Sequence, residues 1–217
     1  MVSMARGETA SKAKMIAATL DLLRGGGLAG AGINHIVAVS GAPKGSVYHF
    51  FPGGKHELVV AALRRAEGAI GEGFRAIFSG DAALPQKVLT LFKITAERME
   101  STAFTKGCPV AAVTLDIDDS SEDLRAIGDA VFATWRQIIA SGLHDIPAAE
   151  RNKVAQLILA TLEGALILAR AQASADPLLE TGELLAMTLS RALPKSPSNQ
   201  DKQERASTRR SQGRARR

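Results

Sequence analysis

The chain has 217 residues, enough for one or two small domains, and 46% of them are hydrophobic, enough for a core. A single cysteine excludes an internal disulfide and fits a reducing cytosol, and the first apolar run is too short and too charged for a secretory signal, so a cytoplasmic protein is expected. The net charge of +5 is unevenly placed: residues 1–57 carry +3, residues 58–194 carry −4 and residues 195–217 carry +6, a pattern in which nucleic acid meets the ends and something else meets the middle.

Met1–Ala10 reads as a loose arm. Ser11 caps a first helix whose apolar face is Met15, Ile16, Thr19, Leu20, Leu22 and Leu23, and Gly25-Gly26-Gly27 stops it. Ile33–Val39 is a short helix with Ile33, Ile36 and Val37 on one face. Ser40-Gly41-Ala42 is a tight turn in which Gly41 takes a positive φ. Pro43 sits in the first turn of the next helix, where no N–H is needed, and Pro52 with Gly53-Gly54 ends that helix after about two turns. Two short helices joined by a glycine turn form a helix-turn-helix. The second helix carries the donors Lys44, Ser46, Tyr48 and His49 beside the bare backbone of Gly45. A helix that only fills a core has no use for this set, whereas one lying against phosphates and base edges does. An ordinary helical hairpin is the alternative.

A long helix follows from Lys55 to Phe78, with Val59, Leu63, Ala66, Ile70, Phe74 and Ile77 at helical spacing. It spans roughly 35 Å and is the natural lever between two domains. A helix from Leu84 or Pro85 to about Thr102 carries Val88, Leu91, Phe92, Thr95 and Met99. Gly107-Cys108-Pro109 opens a short apolar segment, Val110–Ile117. Ser120 and Asp123 resemble a capping box for a helix reaching Ser141. Pro147 starts a helix to about Ala173, and Asp176-Pro177 starts the last, ending by Leu193. No strand-like alternation occurs, so the fold is all-α. Val154–Ala169 is apolar nearly all round, yet it is short for a membrane span and contains Gln156 and Glu163. No membrane partner is expected. Burial between its own core and a second subunit is, with Ala160, Gly164 and Ala165 allowing close approach. Residues 195–217 hold no Val, Ile, Leu, Met or aromatic residue and read as a basic disordered tail.

Residues 15–58 resemble the DNA-binding domain of the tetracycline-repressor (TetR) family, through Ile36, Ser40-Gly41, Lys44-Gly45-Ser46, Tyr48-His49-Phe50-Phe51, Lys55 and Leu58. The form GAPKGSVYHFFPGGK is similar to the LmrA-like subgroup. A weaker likeness continues through Gly107-Cys108-Pro109, Trp135 and Glu163-Gly164-Ala165. The resemblance implies a three-helix DNA-binding domain over residues 1–54 and a ligand-binding and dimerisation bundle over residues 55–194. It implies a homodimeric regulator, most often a repressor, released from a palindromic operator on double-stranded DNA by a small-molecule inducer. Tyr48, His49 and Lys55 would contact phosphates, with Lys44 and Ser46 nearest the bases and Gly45 also in the DNA-binding set. Where the family often has Thr-Ser opening the second helix, this chain has Ala31-Gly32, so backbone N–H groups or Asn34 must serve. The inducer would lie among Phe92, Met99, Phe104, Phe132 and Trp135, side chains suited to a flat apolar ligand. The last two helices would pair with their symmetry mates through Leu157, Thr161, Gly164, Leu168 and Leu185.

Catalytic chemistry is not expected. Cys108 with His144 or His35 as base would make a thiol enzyme, but Cys108 sits in an apolar stretch, where a cysteine acts as a small hydrophobe. The four histidines lack metal-ligand spacing, and Gly25-Gly26-Gly27 follows a helix rather than a strand, so it is no phosphate loop. No metal or cofactor is expected. The main rival reading is a helical DNA-binding protein that answers to no small molecule.

Overall fold

The computed structural model describes residues 2–118 and 121–192. These form nine helices and no strand: α1 (Val2–Gly30), α2 (Ile33–Ser40), α3 (Lys44–Phe50), α4 (Gly54–Phe78), α5 (Leu84–Glu100), α6 (Pro109–Asp116), α7 (Glu122–Ser141), α8 (Arg151–Gln172) and α9 (Asp176–Ala192). The basic tail 195–217 and Ser120 of the expected capping box lie outside the described residues. Ser121 precedes α7 and donates its hydroxyl to Asp118 Oδ1 at 2.9 Å.

Several boundaries differ from the sequence reading. α1 starts at Val2, so residues 2–10 are helical and Ser11 lies inside the helix instead of capping it. Met4, Ala5, Arg6, Glu8 and Ala10 are good or adequate helix formers, and the single Gly7 among them costs only about 1 kcal/mol. Pro43 is the residue before α3 rather than within its first turn: its ψ of 138° is extended, and its carbonyl accepts the Ser46 N–H at 2.9 Å. α8 begins at Arg151, because Pro147–Glu150 closes on itself as a turn, with the Glu150 N–H on the Pro147 carbonyl at 2.8 Å.

The glycine triplet does break α1: Gly26 (φ −136°, ψ 16°) and Gly27 (φ 58°, ψ −154°) leave helical geometry before the chain turns once more to Gly30. Gly41 (φ 67°) ends α2 and returns its N–H to the Val37 carbonyl at 3.0 Å. Gly54 opens α4, where Glu57 Oε2 accepts the Gly53 N–H at 3.0 Å. Gly53-Gly54 therefore begins the long helix, and α3 has already ended at Phe50.

Packing divides the apolar residues into two cores. Met15, Ile36, Ala42, Val47, Phe51 and Leu58 form the smaller, under the helix-turn-helix. Val59, one residue further along α4, belongs to the larger, which runs through Leu63, Phe74 and Trp135 to α8 and α9. Ile16 and Leu22 of α1 pack against both. α4, about 37 Å long by its helical rise, thus begins in one core and continues through the other. In the larger unit α4 lies on α7, α5 on α9, α8 on α7 and α9, and α6 on α1 and α7. Lys87, 5% exposed, donates Nζ to the carbonyls of Phe78 (2.9 Å) and Gly142 (3.2 Å), tying together the C-terminal ends of α4 and α7. Among the described residues, α8 is the one helix long and apolar enough to cross a membrane; here Ala155, Ile158, Leu159, Leu162, Ala165 and Ala169 bury one side of it in the bundle.

Candidate functional site

α3 is held from beneath by Val47 and Phe51, which turns its other side chains outward. Lys44, Gly45 and His49 are exposed, Tyr48 is 55% exposed and Ser46 is half-buried. Across a notch from Lys44 and Tyr48 stand Gly32, Ile33, exposed Asn34 and His35 at the start of α2. No side chain caps that start: Gly32 is the N-cap and Ala31 is fully buried. The first N–H groups of α2 are left without an intrahelical partner, as an anion would require. Val39, at the far end of α2, is an apolar side chain 56% exposed on the same small domain, and periodicity alone gave no reason to single it out. Lys55 has a second task. Its Nζ donates to the Leu28 carbonyl at 2.6 Å, so it braces the broken end of α1.

That broken end is a joint. The Leu28 N–H donates to Asp116 Oδ2 on α6 at 2.7 Å. The Gly107 N–H donates to the Arg24 carbonyl at 3.0 Å, and Arg24 Nε returns a bond to the Gly107 carbonyl at 3.3 Å. Lys106 Nζ grips both carboxylate oxygens of Asp21, at 2.6 and 2.8 Å. Arg170 of α8 donates to the Gly25 carbonyl. A second link joins the first turn of α4 to the start of α7, where His56 pairs with Asp123.

The segment that makes this joint also walls a cavity of about 100 Å³ inside the larger unit. Its apolar lining includes Ile70, Phe74 and Ile77 of α4, Leu91, Ile94 and Met99 of α5, Trp135 of α7, and Leu162 and Leu166 of α8. Its polar lining includes Arg24, Arg98, Lys106, Cys108 and Glu163. Of the five expected ligand contacts, Met99 and Trp135 line the cavity. Phe92 is 1% exposed and faces α9, where a Cβ on Gly182 would come within 2.6 Å of it. Phe132 stands edge-on behind Trp135, ring centroids 5.7 Å apart, and Phe104 lies in the turn after α5 at φ 58°. Trp135 itself is fixed by its indole N–H on the Glu67 carbonyl at 3.1 Å and by Phe74 edge-on at 5.8 Å.

The charged lining escaped the sequence reading, and its electrostatics are unusual. Burial, then the neighbouring Arg98, hold the Arg24 guanidinium below its ordinary range, with Asp21 opposing. Burial also pushes the Cys108 thiol well up, and Glu163 adds to this. Cys108 Sγ faces the Ala111 N–H at 3.5 Å, which makes it the N-cap of α6 and not a poised nucleophile. Burial lifts the Glu163 carboxyl to about 7, partly offset by its contact with the Cys108 thiol.

On the outer side of α8 and α9, Leu157, Ile167, Leu168, Leu184 and Met187 are 47–62% exposed. Thr161 is half-buried, and a Cβ on Gly164 would meet nothing within 4 Å. Leu185, expected on this face, is 7% exposed and turns into the core, while its neighbour Leu184 points out.

Residues 86–184 match the family model described as the C-terminal domain of LmrA/YxaF-like transcriptional regulators. The chain is 35% identical over 181 residues to the HTH-type transcriptional regulator YxaF of Bacillus subtilis (strain 168), an alignment spanning 82% of this chain and 93% of that one. Among solved structures it resembles a TetR transcriptional regulator from Chloroflexus aurantiacus, with TM-score 0.72, 27% identity and 85% and 96% of the two chains covered. In fold it also resembles the TetR-family regulator CifR bound to a 26-bp double-strand operator DNA, with TM-score 0.68, 23% identity and 83% and 95% covered. These relatives are transcriptional regulators and not enzymes. With a helix-turn-helix at one end and the matched regulatory domain at the other, the chain belongs to the TetR family of DNA-binding transcriptional regulators, in its LmrA/YxaF-like branch.

Proposed function

We propose that this regulator is a cytoplasmic homodimeric repressor that leaves a palindromic operator when a small molecule enters the cavity. The observation that carries this reading is the shared segment Lys106–Pro109: it lines the cavity and hydrogen-bonds the broken end of α1, on which Lys55 and the DNA-reading unit also rest. A ligand that displaces this segment moves the joint. It must bind the DNA-free form more tightly, since equal affinity for both forms shifts nothing. Residues 1–54 would read DNA and residues 55–194 would bind ligand and partner subunit.

Docking α3 into the major groove would set Lys44, Gly45 and Ser46 nearest the base edges. Tyr48, His49 and Lys55 would reach phosphates, with a further phosphate over Asn34 and the start of α2. Because Lys55 also braces α1, Lys44 and Tyr48 give the cleaner test. Lys44→Ala should cost about 1–3 kcal/mol at the preferred operator and relax the choice at one base pair. Tyr48→Phe should weaken all sequences alike. Neither should alter Tm, since neither side chain makes a hydrogen bond within the chain among the described residues. Fluorescence anisotropy on a labelled promoter fragment measures both; full affinity in the two variants would dismiss this docking. A small molecule that changes Trp135 emission without weakening operator binding would favour the rival reading of a regulator with no inducer.

A further inference from the structure

We propose that the cavity is built for an amphipathic anion, a molecule with an apolar body and one acidic head, carboxylate or sulfonate, received by Arg98 and Arg24. This rests on the reading of the cavity as a ligand site. Three observations support it. First, Arg24 and Arg98 line the cavity together and are close enough to repel each other. Second, neither guanidinium forms an ion pair among the described residues. Arg98 has no side-chain hydrogen bond or ion pair among the described residues, and Arg24 spends only Nε, on the Gly107 carbonyl. The nearby Asp21 is gripped by Lys106 through both oxygens. Two guanidiniums in one lining therefore present free N–H groups in the planar forks that match a carboxylate. Third, the acid in the cavity does not answer them. Glu163 meets the Cys108 thiol, and neither arginine figures among the groups that set its proton affinity. A cationic ligand would meet Arg98, the exposed member of the pair, and would find in the lining a carboxyl that burial disposes to stay protonated near neutral pH. An anion is drawn by Arg98 and Arg24, while its body covers Met99 and Trp135.

Two matched probe series test this with the full-length dimer: 2-naphthoate, 2-naphthamide and 2-naphthylmethylamine, and octanoate, octanamide and octylamine. Calorimetry reads binding, and anisotropy of labelled operator reads release. In at least one series the carboxylate should bind about tenfold or more tightly than its amide, the difference a charge-assisted hydrogen bond makes. That margin should shrink with added salt, vanish in Arg98→Gln and return in part in Arg98→Lys. An amide or amine that binds as well as its carboxylate in every series that binds, an Arg98→Gln variant that keeps the margin, or no binding in either series would each overturn the proposal. The proposed function fails separately. A carboxylate that binds through Arg98 and leaves operator affinity unchanged would uphold the ligand class and refute induction. Release of operator by the neutral or cationic probes would uphold induction and refute the class.

Discussion

Glu163 shows how a single half-buried group can make the stability of the chain depend on pH. Its carboxyl sits at about 7 in the folded chain against 4.5 for a free side chain, and burial is the larger cause. Cys108, the one titratable neighbour acting on it, stays a neutral thiol because burial lifts its own pKa. Between pH 4.5 and about 7 the folded state keeps a proton that the unfolded state releases, so stability falls as pH rises through that window. Above it the full cost is present, about 3 kcal/mol at most. Glu163→Gln keeps the shape and removes the charge. It should be near neutral in urea unfolding at pH 5 and should stabilise the protein by a few kcal/mol at pH 8, within the limit of about 3 set by the shift. An equal effect at both pH values would mean that the carboxyl is solvated and its shift small.

The break in α1 is the structural element on which the proposed coupling rests, and Gly27 makes the break possible. Its φ of 58° with ψ of −154° is a region that only glycine occupies without strain, and a Cβ there would lie 2.0 Å from Asp116 Oδ2. Gly27→Ala should therefore cost about 2–4 kcal/mol, part as backbone strain and part by pushing Asp116 off the Leu28 N–H. Adding Asp116→Ala should relieve the second part, so the double variant should be less destabilised than the sum of the singles. Strict additivity in urea unfolding would show that the two residues do not share a contact. The helices around this break were legible in the sequence because their signals are local. Gly41 announces its turn, the donors of α3 announce an exposed face, and the apolar repeat of α4 announces a long helix. Met99 and Trp135 could be found the same way, as large side chains on periodic faces. Phe92 could not be told from Met99, because α5 is buried on two sides and only tertiary packing decides that Phe92 meets Gly182 and not the cavity. Arg24, Arg98, Lys106 and Glu163 come from α1, α5, a loop and α8, and each reads in isolation as an ordinary polar position. Periodicity tells which face of a helix is apolar; it does not tell which charges from separate helices converge.

Two DNA-reading heads on a near-palindrome require two chains held in register, and α8 and α9 offer the surface for it. Leu157, Ile167, Leu168, Leu184 and Met187 are large apolar side chains left exposed on these two helices, the kind of set that marks an interaction surface. Gly164 lies on the same helix with open space above its Cα, as expected where a partner helix comes close. The distinction between Leu184 and Leu185 makes a sharp test, because one step along α9 turns a side chain from the outside to the core. Leu185→Ala should cost about 2–5 kcal/mol of folding stability whether or not the chain dimerises. Gly164→Glu should leave the isolated fold intact, since nothing within the chain stands in its way, but it would bury an unpaired carboxylate between subunits at a cost of several kcal/mol. Sedimentation at micromolar concentration should then show a dimer for the wild type and a monomer for Gly164→Glu, with circular dichroism unchanged between them. The monomer should lose operator affinity far beyond what one weakened contact explains, because a single head keeps only half the contacts and none of the tethering. A wild-type monomer under the same conditions would remove α8 and α9 as the interface, and with it the palindrome.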